Sequence, residues 1–419
     1  MRGVALPCRS LAATSLPRPF KLGQSFSSSQ RLATTARAQP QVVNSASPAM
    51  ERAAIIDRVR GALWGIFIAD ALSMPAHWYY NPADIARDFN GGITTYAAPK
   101  ARHPSSIMSL SSTGGHGRGG QEGRIIGDVI NHGKHQFWGR ANMHYHQGMQ
   151  AGENTLNSVC ARVVMRGITA NGGVYDPKRF LSDYVEFMTT PGSHNDTYAE
   201  SFHRDFFGNF AKGVPAERCA KGTEGHNTAQ IGGFVMLPPV IMAAVAHQAS
   251  LADTKKAALT QLSLTHDSSK LAGYAEKYAE LMWNMTTGGQ SLHQATGAMA
   301  ARMNLNLDEL LSKSYDDIRV VHNVFGSACY IDDSFPVSLY LAYKYSDNFE
   351  RAVLSNTNVG GENCHRGAAL GALMGAGLGE TKIPPALIKG LHDYANIKVE
   401  IDSFCTSIFG DAACERSEL

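Results

Sequence analysis

Cys364-His365-Arg366-Gly367-Ala368-Ala369-Leu370-Gly371-Ala372-Leu373-Met374-Gly375-Ala376-Gly377-Leu378-Gly379 sets a glycine at 367, 371, 375 and 379, every fourth position. Residues four apart share one face of a helix. Each glycine inside a helix costs roughly 0.8–1 kcal/mol against alanine. Four in register therefore need a compensating gain, and close backbone approach of another helix supplies one. Membrane-embedded helix pairs use similar spacing. Here, however, Arg366 and Glu380 bracket only 13 residues, too few to cross a bilayer.

Helical spacing extends in both directions from this stretch. Residues 51–72 place Ile55, Ile56, Val59, Leu63, Ile66 and Phe67 on helix period, and Gly61 and Gly65 leave a groove for close packing. Pro75 and Asn81-Pro82 break that pattern. It returns at 155–168, 178–190, 197–212, 228–249, 253–264, 268–286, 290–303, 315–325, 334–346, 347–357 and 384–395. Pro238-Pro239 kinks or starts the helix of 228–249. Alternating β-branched runs are nearly absent. The reading is all-α: a single large helical bundle over 49–419, without tandem repeats. Residues 90–125 are rich in Gly and Ser and read as a long loop region. Gly114 to Gly120, with Arg118 and Arg124 nearby, reads as a lid or as a backbone cradle for a pyrophosphate.

Composition narrows the function classes. The chain has 419 residues, 44% of them apolar, and a net charge of +2. Nothing in that balance calls for nucleic acid or an anionic membrane. No apolar run is long enough to span a bilayer. Seven scattered cysteines read as reduced thiols. The first 48 residues differ: no Asp or Glu precedes Glu51, while Arg2, Arg9, Arg18, Lys21, Arg31 and Arg37 sit among clustered serines. This composition resembles an organelle transit peptide, with a disordered tail as the bland alternative. A mitochondrial destination is expected, with plastid and cytosol as alternatives. Taking those six positive charges from +2 leaves the remainder near −4.

Two look-alike loops stand out as carriers of chemistry. Gly152-Glu153-Asn154-Thr155 and Gly361-Glu362-Asn363-Cys364 each precede a strongly periodic helix. Asn caps helices well, and the dipole stabilises a carboxylate at a helix start. Capping alone accounts for either loop. Together, two helix N-termini aimed at one spot would gather carboxylates, amide oxygens and backbone N–H groups. Such a pocket can hold a hard cation or place water beside a general base. Asp332-Asp333 reads as a cap or as a carboxylate pair lining that site. Adjacent positions on a helix do not face each other, so Cys364 and His365 read as an inert thiol and a separate imidazole, not a catalytic pair. His144-x-His146 and the run His194, Asp196, His203, Asp205 add imidazoles and carboxylates without a spacing that fixes metal geometry.

Several motifs carry a family resemblance. Arg60-Gly61-Ala62-Leu63-Trp64-Gly65 with Ala69-Asp70-Ala71-Leu72 resembles the opening helix of the ADP-ribosylglycohydrolases, a family that includes crystallin J1-like proteins. Leu264-Thr265-His266-Asp267 resembles its mid-chain Thr-His segment. Gly326 to Pro336, then Asn358-Val359-Gly360-Gly361 and Gly367-Ala368-Ala369-Leu370-Gly371-Ala372-Leu373, are similar to its C-terminal signature. The resemblance runs over roughly residues 52–395. It implies an orthogonal all-α fold. It also implies a site that binds ADP-ribose, holds magnesium on acidic loops and hydrolyses an N- or O-glycosidic bond at the ribose. The chain looks like a divergent branch. Gly152, Glu153, Asn154 and Thr155 stand where the family reads Thr-Asp-Asp-Thr. Glu362, Asn363, Cys364 and His365 stand where it reads Asp-Thr-Asp-Thr.

These readings combine into one set of expectations. The function is hydrolysis of an ADP-ribosyl or related N- or O-glycosidic bond in a nucleotide-sugar or ADP-ribosylated substrate. Glu153 and Glu362 activate water. Asp70, Asn154, Thr155, Gly360, Gly361, Asn363 and His365 bind the substrate. A divalent metal, magnesium first, falls to Glu153, Asn154, Glu362, Asp332 and Asp333. Two ions, one or none stay open, as does a softer metal such as zinc or iron on Cys364 and His365. The alternative function is a crystallin J1-like protein that keeps the fold for ligand binding or structure and has lost hydrolysis.

Overall fold

The glycine row finds its partner in the first helix. In the computed structural model, residues 48–105, 129–134, 137, 142–222 and 229–411 are described. The leader-like segment up to residue 47 lies outside them, as does the loop Gly114 to Gly120 with Arg118 and Arg124. The helices of seven residues or more are α1 (Pro48–Ser73), α2 (Pro82–Asp88), α3 (Leu156–Ala170), α4 (Pro177–Thr189), α5 (Ser201–Ala211), α6 (Leu237–Ala246) and α7 (Leu251–Ser263). They continue with α8 (Ser269–Thr286), α9 (Leu292–Arg302), α10 (Ile331–Lys344), α11 (Phe349–Val359), α12 (Asn363–Leu378) and α13 (Tyr394–Phe409). Among the described residues there is no strand, only two isolated bridges, Arg102 with Met143 and Gln230 with Tyr330. The expected all-α bundle is what forms, around one large apolar core.

Helices α1 and α12 meet backbone to backbone. A Cβ added to Gly61 would lie 2.6 Å from Gly375 O, and one on Gly65 or Gly371 would overlap the other glycine's carbonyl. Gly367 sits in the same way over Ala69 O, 3.0 Å from where its Cβ would be. Residues 363–376 are buried on every side, so α12 is the axis of the bundle. This explains its apolar sequence all round. At one end of the contact, Arg60 bonds Glu380 and Asp402, and Trp64 Nε1 donates to Glu380 Oε1 at 2.7 Å. At the other, Ser73 Oγ meets Thr357 Oγ1 at 2.9 Å.

Some boundaries differ from the periodicity. Helix α6 starts at Leu237, with Pro238-Pro239 in its first turn, where a missing N–H breaks no helix bond. The stretch 384–395 is not one helix. It stops at Lys389 and restarts at Tyr394, because the chain turns to let His392 N donate to Gly152 O at 2.9 Å. Residues 315–325 begin as α-helix and continue as a π-helical segment, Val320–Phe325. Gly326 ends that segment at φ 115°, and a Cβ there would meet Asp333 Cγ at 2.7 Å. Asp332 and Asp333 fall inside the first turn of α10, where their charge complements the dipole.

Replacing Gly371 by Ala should destabilise the protein by more than about 3 kcal/mol, because a backbone carbonyl cannot step aside. The same change at Gly273 in α8, where a Cβ meets nothing within 4 Å, should stabilise by roughly 0.5–1 kcal/mol. Urea unfolding of the two variants measures both, and equal effects would contradict the packing described.

Candidate functional site

The α1–α12 contact carries the end of α1 to the start of α12. Asp70, in the last turns of α1, is fully buried. Its Oδ1 accepts from Thr155 Oγ1 (2.6 Å) and Cys364 Sγ (3.1 Å). Its Oδ2 accepts from Thr155 N (2.8 Å) and Asn154 Nδ2 (2.9 Å). Both oxygens are saturated by protein donors. Asp70, Asn154 and Thr155 thus lock the start of α3 onto α1. Burial and the Asp70 charge push the Cys364 thiol well above its usual range, which keeps it an inert donor.

Past α1, the chain pairs with the loop before α12. Trp78 N donates to Gly361 O and Gly361 N to Tyr79 O, both at 2.8 Å, while Glu362 N donates to Ser327 O at 2.8 Å. Gly360 and Gly361 hold φ of 69° and 66°, and side chains there would strike Tyr79 O and Ser327 O. Glycine alone fits. Gly361 N is therefore spent on the protein. Trp78 itself sits at φ 62°, a costly conformation for a bulky residue. It is held by its backbone bond and by Trp78 Nε1, which donates to Glu362 Oε2 at 2.5 Å.

Glu362 is the centre of what this pairing builds. It has no exposed surface, and as N-cap of α12 it accepts from His365 N at 3.3 Å. Its Oε1 lies 3.0 Å from His77 Nε2 and 3.0 Å from His365 Nδ1. His77 Nδ1 lies 2.6 Å from His146 Nε2, the two rings being nearly coplanar at 8°. His146 Nδ1 lies 2.7 Å from Asp196 Oδ1, whose carboxylate also accepts from Leu156 N and Tyr198 N. Trp78, Tyr145 and Tyr198 form an aromatic wall against these imidazoles. Glu200 approaches the same ring nitrogen, its Oε2 at 3.6 Å from His365 Nδ1 and accepting from Asn157 Nδ2 at 2.6 Å. Gly232 makes room for that carboxylate, which a Cβ there would overlap.

The charges divide sharply. Burial alone would raise the Glu362 carboxyl, but His77 and His365 hold it well below the usual carboxylate range. Burial raises Glu200, only partly opposed by His365. Burial pushes His77 down to about 3 against the pull of Glu362. Burial also works against a charge on His365, yet Glu362 and Glu200 bring it up to about 10. The site thus pairs an ionised carboxylate with one that holds a proton more readily.

The other expected residues go elsewhere. Glu153, beside Gly152 at φ 79°, turns its carboxylate to Gln150 N (2.8 Å) and Asn195 Nδ2 (3.1 Å). It shares no partner with Glu362. Asp332 is half exposed and bonded by Lys270 and Tyr274, and Asp333 packs beside Gly326. Asn363 is buried and donates to Thr357 O at 2.9 Å. Of the expected set, the site keeps Glu362 and His365, with Asp70, Asn154 and Thr155 as its frame. It adds His77, Trp78 and Glu200, which no local motif singled out, and joins His146 to Asp196. Arg366 was also missed: fully buried, it donates to Asn356 Oδ1 and Gly360 O and so braces the glycine turn.

The all-α fold has relatives. A solved "ADP-ribosylglycohydrolase-related protein complex" shares the fold at TM-score 0.50 and 18% identity, over 86% of this chain and 99% of that one. Residues 51–416 match the ADP-ribosylglycohydrolase family, and the chain belongs to it. No curated protein sequence matches the chain.

Burial lowers His144, His203 and His266, the last to about 3. Unfolding returns them to about 6.5, so below that pH the unfolded chain binds protons that the folded chain refuses. His77 behaves in the same way, so stability should fall as pH drops from 6.5 toward 4, with proton uptake on unfolding reaching at least about four. His365 acts in the other direction: its stabilisation is present below pH 6.5 and lost as pH rises through about 10. Urea midpoints at pH 7.5, 6 and 4.5 measure the acid limb, and a flat profile would contradict it.

Proposed function

We propose that the chain hydrolyses an ADP-ribosyl bond at the anomeric carbon of the ribose, with Glu362 and Glu200 as its two carboxylates. The supporting observation is their convergence on one nitrogen, His365 Nδ1, with the Glu362 carboxyl held down and the Glu200 carboxyl raised. Environments that push two carboxyl groups apart in this way assign a base and an acid. Glycoside hydrolysis needs that pair around the scissile bond. Glu200 gives its proton to the leaving nitrogen or oxygen as the bond to the anomeric carbon breaks. Water forms the new bond and loses its proton to Glu362. Proton exchange with water then restores the ionised Glu362 and the protonated Glu200 for the next turnover.

The family is typically metal-dependent, and the acidic loops of its members suggest magnesium. The residues here do not fit a magnesium pair. Asp70 has no free carboxylate oxygen, Glu153 is bonded to Gln150 and Asn195, and Asp332 is bonded to Lys270. Magnesium demands several oxygen donors around one point. No step is therefore assigned to it. The membership also suggests a small ADP-ribosylated substrate. Among the described residues, no helix is long and apolar enough to cross a membrane.

The test is release of ADP-ribose from substrates in which it is linked through its anomeric carbon to an amide, a guanidine or an acyl oxygen. Wild-type protein should turn over one of these. Glu362→Gln and Glu200→Gln should each lower kcat by about 100-fold or more, and Glu153→Gln by no more than a few-fold. Binding of ADP-ribose without turnover in the wild type would overturn the hydrolytic reading in favour of a lapsed, ligand-binding relative.

A further inference from the structure

The line Asp196–His146–His77–Glu362 holds three polar contacts, of 2.7, 2.6 and 3.0 Å, between four buried side chains. An ionised carboxylate only accepts, and a neutral imidazole has one N–H. Two neutral imidazoles therefore supply two protons for three contacts. With His146 Nδ1–H on Asp196 and His77 Nδ1–H on His146 Nε2, one contact is left bare. His77 Nε2 and Glu362 Oε1 then face each other as two lone pairs.

A second gap opens beside the first. His365 Nδ1 is buried and, among the described residues, makes no well-aligned hydrogen bond, although it lies 3.0 Å from the same Glu362 Oε1. Buried polar atoms without partners are rare and call for an explanation. An extra proton on His77 would close the first gap, and one on His365 Nδ1 would pair with Glu362 by charge but without the alignment of a hydrogen bond. One cation among the three atoms closes both.

We propose that His77 Nε2, His365 Nδ1 and Glu362 Oε1 form a site for a single divalent transition-metal ion of the zinc class. The three ligand atoms lie within 4.8 Å of one another. Bonds of about 2.0–2.2 Å at tetrahedral to octahedral angles put adjacent donors about 3–3.5 Å apart. The two 3.0 Å contacts are already near that spacing. Two imidazoles and one carboxylate suit zinc, iron or cobalt and not magnesium. The surroundings match as well. A ligating histidine commonly donates its other ring N–H to an acceptor that fixes the tautomer, and here His77 hands that bond to His146 and thence to Asp196. Trp78 Nε1 fixes the second oxygen of Glu362. Cys364 stays outside the set, because its thiol donates to Asp70. Three protein donors leave the coordination sphere open to water or a substrate oxygen.

The site rests on donor geometry and proton counting, and not on the hydrolytic reading. The full chain is stripped with chelator and titrated by calorimetry with Zn²⁺, Co²⁺ or Mg²⁺, with elemental analysis of protein purified without chelator. One Zn²⁺ per chain is expected, with Co²⁺ giving visible d–d absorption and millimolar Mg²⁺ displacing neither. His365→Ala should weaken Zn²⁺ binding at least 100-fold. Asp196→Asn, two bonds removed from the ion, should weaken it about 10- to 100-fold. Circular dichroism and unfolding midpoints verify that these variants fold, and His365→Gln serves if the alanine variant does not. Absence of Zn²⁺ uptake, uptake unchanged by either His365 substitution, or equal preference for Mg²⁺ overturns the proposal. ADP-ribose release separates the two readings: a chain that takes up Zn²⁺ without turnover keeps the metal site and sinks hydrolysis, and one that turns over substrate but takes up no Zn²⁺ does the reverse.

Discussion

Backbone-to-backbone contact between α1 and α12 is the constraint on which the rest of the molecule depends. Side chains normally keep helix axes 8–10 Å apart. With Gly61 and Gly65 facing Gly371 and Gly375, the spacer is gone and carbonyls approach the neighbouring backbone directly. The cost of several helical glycines is offset by dispersion contacts along the whole seam. The seam tolerates little change, because peptide groups cannot rotate away as side chains can. It also puts α12 in the middle of the core, where every residue from Asn363 to Ala376 is buried.

An axis this deeply buried presents its first turn to no water, so the polar groups gathered there must satisfy one another. Asp70 meets four donors. Glu362 meets His77, His365 and Trp78. The low dielectric that makes an unpaired group costly also makes each charge reach further. The environments of Glu200 and Glu362 can therefore diverge although both contact one imidazole. Strain is stored at the same point, in Trp78. The backbone pairing between this segment and the turn at Gly360-Gly361 brings His77 and His365 together. Arg366, buried without a carboxylate partner in contact, braces that turn through the Gly360 carbonyl.

The two Gly-Glu-Asn loops show how far sequence similarity reaches. Both precede helices, but the N-caps are Thr155 and Glu362 and not the expected asparagines. Around Glu362, the turn aims the carboxylate back over its own helix N-terminus and into the core. Around Glu153, the chain places Asn154 and Thr155 inward against Asp70 and leaves Glu153 on the outer side. A difference of one residue in which side chain turns inward separates a site residue from a frame residue. His77 and Glu200 carried no signal at all. His77 lies 285 positions from Glu362, and no window of local sequence encodes a partner that remote.

Helix content and the glycine seam's existence were legible in the chain alone because they rest on short-range periodicity, and the family because its motifs stand in short stretches of sequence. A helix repeats every 3.6 residues, so apolar stripes, capping residues and glycines four apart declare themselves within a few turns. Which helix the glycine row would meet, and which side chains would converge at its head, was decided only by tertiary structure. Convergence depends on the position of segments far apart in sequence, and on which lone pairs and N–H groups end up facing each other once water is gone. The acidic loops named a place in the chain. The packing of α1 on α12 turned one of them into a centre of imidazoles and carboxylates.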